Sequence, residues 1–428
     1  MQNAEWQHPA FNIQHSTLHM TLPVTLADIQ AARRTLRNRI IATPLLPAAR
    51  LSAELGANIW YKAENTQHSG SFKIRGAYNT IAHLSDAERA CGVIAPSAGN
   101  HAQGVAMAAQ LTGVRATIVM PERAPLTKVV ATRRLGAEVI LHGASFDDAV
   151  AHARELQQAR GLTYLHAFDH PQVIAGQGTI GLELVEDLPE FHLLVVPIGG
   201  GGLIGGIAIA VKALCPDVRI IGVQAAGCAP VPGSLAAGQP VTASAANTIA
   251  DGIAVKRPGD LTLPIIRALV DDVVTVEEDE IVLAIAHVLQ NSRLVVEGAG
   301  AAGVAALMAG KVGLRPGETA ATILCGGNID PTLLTRVLQT AMVHQGRYLL
   351  LRTIVEDWPG NLARLISTVA EAGANIVEVF HRRAEWHLPV TKVGVELVLE
   401  VRGEDHAQAV IARMDAAGYK CQRDVAEF

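Results

Sequence analysis

The chain has 428 residues, of which 50% are hydrophobic and 18% are charged, and its formal net charge is −5 at pH 7. This composition predicts a globular protein of two or more domains and excludes a disordered chain. Without a surplus of basic residues, nucleic acid is not an expected partner. The five cysteines are scattered and form no CxxC pair, which argues against a disulfide framework and a metal site and favours the reducing cytoplasm.

The N-terminal segment, residues 1–24, is predicted to be a tail. It lacks the basic start and the apolar core of a signal peptide. No apolar run along the chain reaches the length of a membrane span, so a membrane is not an expected partner either. A helix is predicted from Thr25 to Arg37, and an extended segment follows over 41–46.

A single lysine lies in a stretch of small and apolar residues, Asn65-Thr66-Gln67-His68-Ser69-Gly70-Ser71-Phe72-Lys73-Ile74-Arg75-Gly76-Ala77. A strand is predicted before it over 58–64 and a helix after it over 76–84, so Lys73 is expected at a loop-to-helix junction. An amine among apolar groups loses hydration, which lowers its pKa and leaves free amine that can attack a carbonyl. An arbitrary lysine is more often a solvated surface residue, so the choice of Lys73 needs support from other segments.

Three further strands are predicted to end in turns that suit an anion or a cofactor. The turns are Ser97-Ala98-Gly99-Asn100-His101, Gly199-Gly200-Gly201-Gly202 followed by Leu203, and Cys325-Gly326-Gly327-Asn328. The first two open helices, whose N-terminal backbone N–H groups attract anions. If the three strands belong to one parallel sheet, their ends converge on one crevice.

The rest of this region alternates between strands and helices. Helices are predicted over 128–135 and 146–160 between short strands, which is typical of a parallel α/β sheet. The segment 225–243 is predicted to be loose. Asp251-Gly252 is interpreted as a structural turn. Glu297 ends an apolar strand, where a buried carboxylate needs a partner.

After residue 343 the pattern changes. Strands are predicted over 348–355, 374–381, 392–401 and 419–423, with helices over 362–372 and 404–417. This βαββαβ order predicts a separate α+β domain.

Three motifs in this order, Ser-Phe-Lys-Ile-Arg-Gly-Ala, Ser-Ala-Gly-Asn-His-Ala-Gln-Gly and Gly-Gly-Gly-Gly-Leu, resemble fold type II pyridoxal-phosphate enzymes, and threonine ammonia-lyases in particular. The resemblance implies an α/β, tryptophan synthase β-like, two-lobed parallel-sheet catalytic domain over 25–343. Its small mobile lobe, roughly residues 60–165, would be inserted in the large lobe. The segment 347–428 resembles a ferredoxin-like ACT regulatory domain.

The same resemblance implies the site residues. Pyridoxal 5'-phosphate would be joined to Lys73, which would also act as the catalytic base. The other cofactor-binding residues would be Phe72, Asn100, Gly199, Gly200, Gly201, Gly202, Leu203, Glu297 and Cys325. The substrate carboxylate would be bound by Ser97, Ala98, Gly99, Asn100 and His101. Cys325 would face the pyridine nitrogen as an uncharged partner, although a free cysteine is also commonly a small buried hydrophobe.

The implied reaction is the deamination of L-threonine to 2-oxobutanoate and ammonia, with L-serine giving pyruvate as a weaker activity, in isoleucine biosynthesis or threonine catabolism. The alternative is a related lyase or racemase acting on another β-hydroxy amino acid, such as serine or 3-hydroxyaspartate. Ala98 stands where serine racemases carry a second serine, which favours the lyase. A dinucleotide-binding protein of another class is disfavoured because the glycine run lacks GxGxxG spacing.

The resemblance to an ACT domain implies an amino-acid effector near Asp357 and Asn361, at the turn that opens the helix over 362–372. It also implies a homo-oligomer, either a dimer or a tetramer. A plain oligomerisation module without a ligand remains open on the sequence alone.

Overall fold

A computed structural model describes residues 22–382 and 388–423. The chain divides into two compact units, Met1–Asp330 and Pro331–Phe428. Most of the predicted tail, residues 1–21, lies outside the described residues. The helix over 331–344 belongs to the second unit, whereas the sequence places the end of the first domain at 343; the expected domain boundaries stay a prediction.

The strands are β1 (Leu45–Pro47), β2 (Asn58–Lys62), β3 (Val93–Pro96), β4 (Ala116–Met120), β5 (Glu138–Leu141), β6 (Thr163–Tyr164), β7 (Leu193–Pro197), β8 (Arg219–Ala225), β9 (Asp272–Val276), β10 (Thr319–Ile323), β11 (Tyr348–Glu356), β12 (Asn375–Arg382), β13 (Lys392–Glu400) and β14 (Cys421–Arg423).

The α-helices are α1 (Leu26–Leu36), α2 (Ala49–Leu55), α3 (Lys73–Ala82), α4 (Asp86–Cys91), α5 (Asn100–Thr112), α6 (Leu126–Arg134), α7 (Phe146–Arg160), α8 (Pro171–Asp187), α9 (Gly202–Leu214), α10 (Pro230–Ala237), α11 (Thr262–Leu269), α12 (Glu278–Ser292), α13 (Gly298–Met308), α14 (Pro331–His344), α15 (Asn361–Glu371) and α16 (Glu404–Ala416). Short 3₁₀ turns cover Glu64–Thr66, Ala226–Cys228 and Asp251–Ile253.

The first unit contains two parallel sheets. One has the order β1-β2-β10-β7-β8-β9, in which only the β1–β2 pair is antiparallel. The other has the order β5-β4-β3-β6 and is parallel throughout. Strands β7 and β4 are buried at every position, as expected where helices cover both faces of a parallel sheet. The predicted two-lobed α/β class is confirmed.

The three turns do not follow strands of one sheet, which was the condition given for their convergence. The strand before Ser97 is β3 of the four-stranded sheet, whereas β7 and β10, which precede the glycine run and Cys325, lie in the six-stranded sheet. Strand patterning reports burial and not which strands pair, so the sequence could not separate the two sheets.

Two further corrections concern helices. The segment 225–243, predicted to be loose, contains α10. Its prolines suggested a loop, but a proline is compatible with the first turn of a helix, where no N–H acceptor is needed. Helix α3 begins at Lys73 itself and not at Gly76, because the preceding residue Phe72 is already in the helical region.

Glycines set the spacing between α8 and α9. A methyl group at Gly206 would lie 2.2 Å from the carbonyl oxygen of Ile174, and one at Gly178 would lie 2.8 Å from the carbonyl oxygen of Gly206. The two helix backbones therefore touch, which leaves no room for side chains between them. This close packing holds the helix that starts at the glycine run against the six-stranded sheet.

The second unit begins with α14 and continues in the order β11-α15-β12-β13-α16-β14, with an antiparallel sheet of order β12-β13-β11-β14. Its core is formed by one face of the sheet and by apolar residues of both helices, among them Leu365 and Val410. The βαββαβ pattern predicted from the sequence is present. Along the described parts of the chain, no helix combines the length and the apolar character needed to cross a bilayer.

A buried ionic cluster connects β2, α3 and α8 beside the segment 65–72 that precedes Lys73, here called the lysine loop. Arg75 forms paired hydrogen bonds to Glu64 at 2.7 and 2.9 Å, and to Glu183 at 2.6 and 2.9 Å. Lys62 lies 2.8 Å from the same Glu183 carboxylate. Lys62, Glu64 and Arg75 are all fully buried. The desolvation cost of burying these charges is offset only while every charged partner is present.

We therefore expect Arg75→Met to be strongly destabilising, because it leaves the buried Glu64 carboxylate without its guanidinium. The free energy of unfolding, measured by urea denaturation, should fall by about 3–5 kcal/mol. The matched control is Arg33→Met, which removes an Arg–Glu pair with Glu186 that is about half exposed on both sides and should cost less than about 1 kcal/mol. Equal losses in the two variants would contradict the role of burial.

Candidate active site

A partly open cavity of about 890 Å³ lies in the described part of the first unit. Every residue that the sequence predicted for the catalytic site lies on its wall. These residues are Phe72, Lys73, Ser97, Ala98, Gly99, Asn100, His101, Gly199, Gly200, Gly201, Gly202, Leu203, Glu297 and Cys325. The volume is in the range of small-molecule and cofactor sites. The individual roles of these residues stay predictions.

The lysine loop is held by main-chain pairing with the turn that follows β10. The N–H of Phe72 donates to the carbonyl of Cys325 at 3.2 Å, and Ser71 forms an antiparallel bridge with Gly326. Helix α5 also approaches closely, because a methyl group at Gly104 would lie 3.0 Å from the carbonyl carbon of Lys73. These contacts position the first residue of α3 at the cavity wall.

The Lys73 amine reaches into the cavity. The residue is partly buried, and its Nζ donates to the carbonyl oxygen of Ala167 at 3.1 Å. Burial lowers the pKa of Lys73 to about 8, although the acidic groups of Cys325 and Glu297 act in the opposite direction. A useful fraction of free amine is therefore present near neutral pH, as the sequence predicted.

The glycine run forms the start of α9. Gly201 has a φ of 95°, a conformation that suits glycine, and the helix begins at Gly202. The first N–H groups of a helix have no acceptor within it and carry partial positive charge, so they suit an anion such as a phosphate. On the other side the turn is tied down, because Thr262 Oγ1 donates to the carbonyl of Gly200 at 2.6 Å.

The Ser97 turn leads into α5. The hydroxyl oxygen of Ser97 accepts hydrogen bonds from the N–H groups of Gly99 and Ala102, both at 3.2 Å. The N–H groups of Asn100 and His101, at the first positions of the helix, stay available to a carboxylate. The ring of His101 is buried and its Nε2 lies 3.1 Å from the carbonyl of Leu165. Burial and the nearby Lys73 lower the pKa of His101 to about 3, so the neutral ring donates this bond.

Hydrogen bonds join Glu297, Asn100 and Asn328 at the cavity wall. Asn100 Nδ2 donates to Glu297 at 2.5 Å, and Asn328 Nδ2 donates to Asn100 Oδ1 at 2.8 Å. Glu297 is buried, and burial together with the Asp251 carboxylate raises its pKa to about 7. The expected partner of this buried carboxyl is therefore the amide of Asn100.

Cys325 is buried next to the lysine loop, and burial raises the pKa of its thiol well above the ordinary value. The thiol is neutral at physiological pH. It is thus a weak, uncharged hydrogen-bonding group, and its role opposite the ring nitrogen stays a prediction.

Sequence reasoning missed several residues that shape the site. The ring of Phe168 packs over the glycine run, 2.4 Å from where a methyl group at Gly200 would lie. Lys128 on α6 forms an ion pair of 2.6 Å with Asp251 across the cavity mouth. Asn328 orients Asn100. Asn328 was within a motif that was singled out, but Phe168 and Lys128 carry no local signal because only the tertiary fold brings them to the cavity.

The predicted effector residues lie in the second unit. The N–H of Asp357 donates to the carbonyl of Thr391 at 2.8 Å. Asn361 is the first residue of α15, and its Nδ2 donates to the carbonyl of Glu356 at 2.9 Å. The two residues thus sit at the start of this helix, as the sequence indicated.

Comparisons with known proteins agree with this geometry. The family model described as "Pyridoxal-phosphate dependent enzyme" matches residues 36–326. The chain belongs to this family. Within the pyridoxal-phosphate dependent enzymes, it is 48% identical over 397 residues to an L-threonine ammonia-lyase of Thermotoga maritima, covering 93% of this chain and 98% of that protein. The resemblance stated from the motifs is confirmed.

Two solved structures are similar to about three quarters of this chain. The processed form of threonine deaminase isoform 2 from Solanum lycopersicum has a TM-score of 0.70 at 41% identity, covering 74% of this chain and 92% of that chain. A maize serine racemase has the same TM-score of 0.70 at 36% identity, covering 75% and 98%.

The residues present fit the family's cofactor, pyridoxal 5'-phosphate. The start of α9 would hold the phosphate, Lys73 would hold the aldehyde, and the neutral thiol of Cys325 would face the ring nitrogen. The Lys73 amine is half-buried and its pKa is lowered. The glycine turn is held by Thr262, which is not a lining residue of the cavity.

We expect Gly200→Ala to weaken cofactor binding, because the added methyl group would lie 2.4 Å from the Phe168 ring and push the turn out of place. The Kd for pyridoxal phosphate should rise about tenfold or more, for an overpacking cost of about 1–3 kcal/mol. Gly205→Ala is the control on the same helix, since its nearest neighbour, Ile265, would be 3.5 Å away. A Kd equally affected in both variants would contradict this assignment.

The raised pKa of Glu297 predicts a pH dependence of stability. The folded carboxyl keeps its proton up to about pH 7, whereas the unfolded one releases it near about 4.3. The stabilisation is complete below this lower value and is lost as the pH rises through 7. Between pH 5 and pH 8, the cofactor-free wild type should lose roughly 2–3 kcal/mol more than Glu297→Gln in urea denaturation.

The exposed carboxylate of Glu190 provides the control for this measurement. Glu190→Gln should retain the wild-type pH dependence. If the stabilities of wild type and Glu297→Gln change with pH in parallel, the pKa of Glu297 is not raised in the folded state, which would contradict this prediction.

Proposed function

We propose that this chain deaminates L-threonine to 2-oxobutanoate and ammonia with pyridoxal 5'-phosphate, and acts more weakly on L-serine to give pyruvate. The observation that carries the proposal is the half-buried Lys73 amine, whose pKa is lowered to about 8, facing the same cavity as two helix starts. The similarity to L-threonine ammonia-lyase of Thermotoga maritima over 93% of the chain supports the substrate.

The cofactor, when bound, supplies an electron sink for the electron pair left on the substrate when Cα loses its proton. Lys73 is the base that takes this proton, since its amine lies in the cavity and is partly unprotonated near neutral pH. The N–H groups of Asn100 and His101 bind the substrate carboxylate and orient the Cα–H bond towards the amine. The neutral thiol of Cys325 would be the residue facing the ring nitrogen, and as a weak, uncharged partner it would not hold a proton there, which would favour elimination over slower side reactions.

Ala98 supports a lyase over a racemase. It lines the cavity next to Ser97 and has no hydroxyl that could return a proton to the opposite face of Cα. The similarity to a maize serine racemase keeps a racemase, or a lyase acting on serine or 3-hydroxyaspartate, as the second candidate.

We further propose that the second unit is a regulatory ACT-like domain in which Asp357 and Asn361 contact an amino-acid effector. The position of both residues at the start of α15, inside a βαββαβ unit, supports this. A dimer or tetramer, a cytoplasmic location and a role in isoleucine biosynthesis or threonine catabolism belong to the same proposal.

The test compares wild type and Lys73→Ala as purified full chains. Wild type should show the visible absorption of the bound cofactor and release 2-oxobutanoate from L-threonine with a higher kcat/KM than for L-serine or 3-hydroxyaspartate. Lys73→Ala should lose this absorption band and reduce kcat roughly 10³-fold or more, because the base is removed. Formation of D-serine faster than pyruvate from L-serine would favour the racemase.

A further inference from the structure

The free amine of Lys73 has a fixed acceptor in this structure, the carbonyl oxygen of Ala167, at 3.1 Å. Ala167 follows β6 and lies in the short connection to α8 that passes from the four-stranded to the six-stranded sheet. A carbonyl in a connecting segment is not held by a sheet ladder, so other groups must set its direction.

The connection is folded tightly by the side chain of His166. The ring Nδ1 accepts hydrogen bonds from the N–H groups of Phe168 at 3.3 Å and Asp169 at 2.8 Å. Nδ1 is thus an acceptor, and burial lowers the pKa of His166, which keeps the ring neutral in this role. His166, immediately before Ala167, thus fixes the turn that contains the Ala167 carbonyl.

On its C-terminal side the turn is bound to the element behind the glycine run. The Asp169 carboxylate accepts three hydrogen bonds from the start of α11, from the N–H groups of Asp260 at 3.0 Å, Leu261 at 2.9 Å and Thr262 at 3.2 Å. Thr262 in turn donates to the carbonyl of Gly200 at 2.6 Å. One side chain therefore connects the acceptor of the amine to the predicted phosphate site.

We propose that Asp169 is a positioning residue for the reaction, which fixes the Ala167 carbonyl as the acceptor for the Lys73 amine whenever that amine is not bonded to the cofactor. The inference rests on the proposed role of Lys73 as the base. When Lys73 takes the substrate proton it becomes an ammonium in a desolvated cavity, and a held carbonyl stabilises and orients this cation. A mobile carbonyl would do neither.

The test measures the pKa of Lys73 in the full chain freed of its cofactor, by competitive acetylation across pH and mass spectrometry of the peptide that contains Lys73. In Asp169→Ala this pKa should fall by about 0.5–1 unit, since the ammonium loses a hydrogen bond from a fixed acceptor. In the holoenzyme, kcat for L-threonine should fall about tenfold with a smaller change in KM. Asp169→Asn, which keeps one accepting oxygen, should be intermediate.

The control is Asp28→Ala, which removes another carboxylate at a helix start, where Asp28 accepts from the N–H of Thr25 at 2.8 Å. It should leave both the pKa of Lys73 and kcat unchanged. An unchanged or raised pKa of Lys73 in Asp169→Ala overturns the proposal, even if activity falls. If Asp169→Ala does not fold, the pKa of Lys73 in Asp169→Asn decides by the same criterion.

The acetylation readout involves neither cofactor nor substrate. Failure of the positioning role would appear as an unresponsive Lys73 pKa in an enzyme that still forms 2-oxobutanoate. Failure of the proposed function would instead appear as a wild-type chain that forms no 2-oxo acid.

Discussion

The pairing between the lysine loop and the turn after β10 is the constraint on which the site depends. The bridge between Ser71 and Gly326, and the bond from Phe72 to Cys325, attach the start of α3 to the end of a central strand. This attachment brings an amine, a neutral thiol and a buried carboxyl to one wall of the cavity. It keeps Lys73 at this wall, where burial lowers the pKa of its amine.

Burial favours the neutral form of three ionisable groups that line the cavity. It lowers the pKa of Lys73 to about 8 and that of His101 to about 3, and it raises that of Glu297 to about 7. Each shift favours the neutral form of its group, because a cavity with little water penalises charge. Hydrogen bonds between these buried neutral groups are stronger than they would be in water, which suits a reaction in which protons move between substrate and protein.

The charges that the fold does bury completely lie behind the site and not in it. Arg75 pairs with Glu64 and Glu183 beneath the loop that precedes Lys73, and Lys62 pairs with the same Glu183. These hydrogen bonds hold α3 in place, but removing any one of the groups leaves a buried charge without its partner. Helix α3 is thus held by polar contacts beneath it, while its first residue, Lys73, faces the cavity. The connection through Ala167 and Asp169 links this residue to the glycine run by a second, independent route.

Much of the site could be predicted from the sequence, because its motifs are local. The lysine segment, the Ser-Gly-Asn turn after an apolar strand and the four successive glycines are each recognisable within a short stretch of sequence, and Gly201 takes a positive φ that favours glycine. The βαββαβ order near the C-terminus was likewise visible in the hydrophobic pattern. Helix α10 was not, since its two prolines resemble a loop until the rest of the chain packs against it.

The tertiary structure alone decided how these motifs meet. The sequence could not tell that β3 pairs in a different sheet from β7 and β10, because strand partners far apart in the chain leave no local mark. Nor could it indicate that Phe168 covers the glycines, that Asn328 orients Asn100, or that Asp169 is tied to the start of α11. The sequence by itself determined which chemical groups are available. Long-range packing determined their distances and, through burial, their protonation, because both depend on neighbours that are distant in the chain.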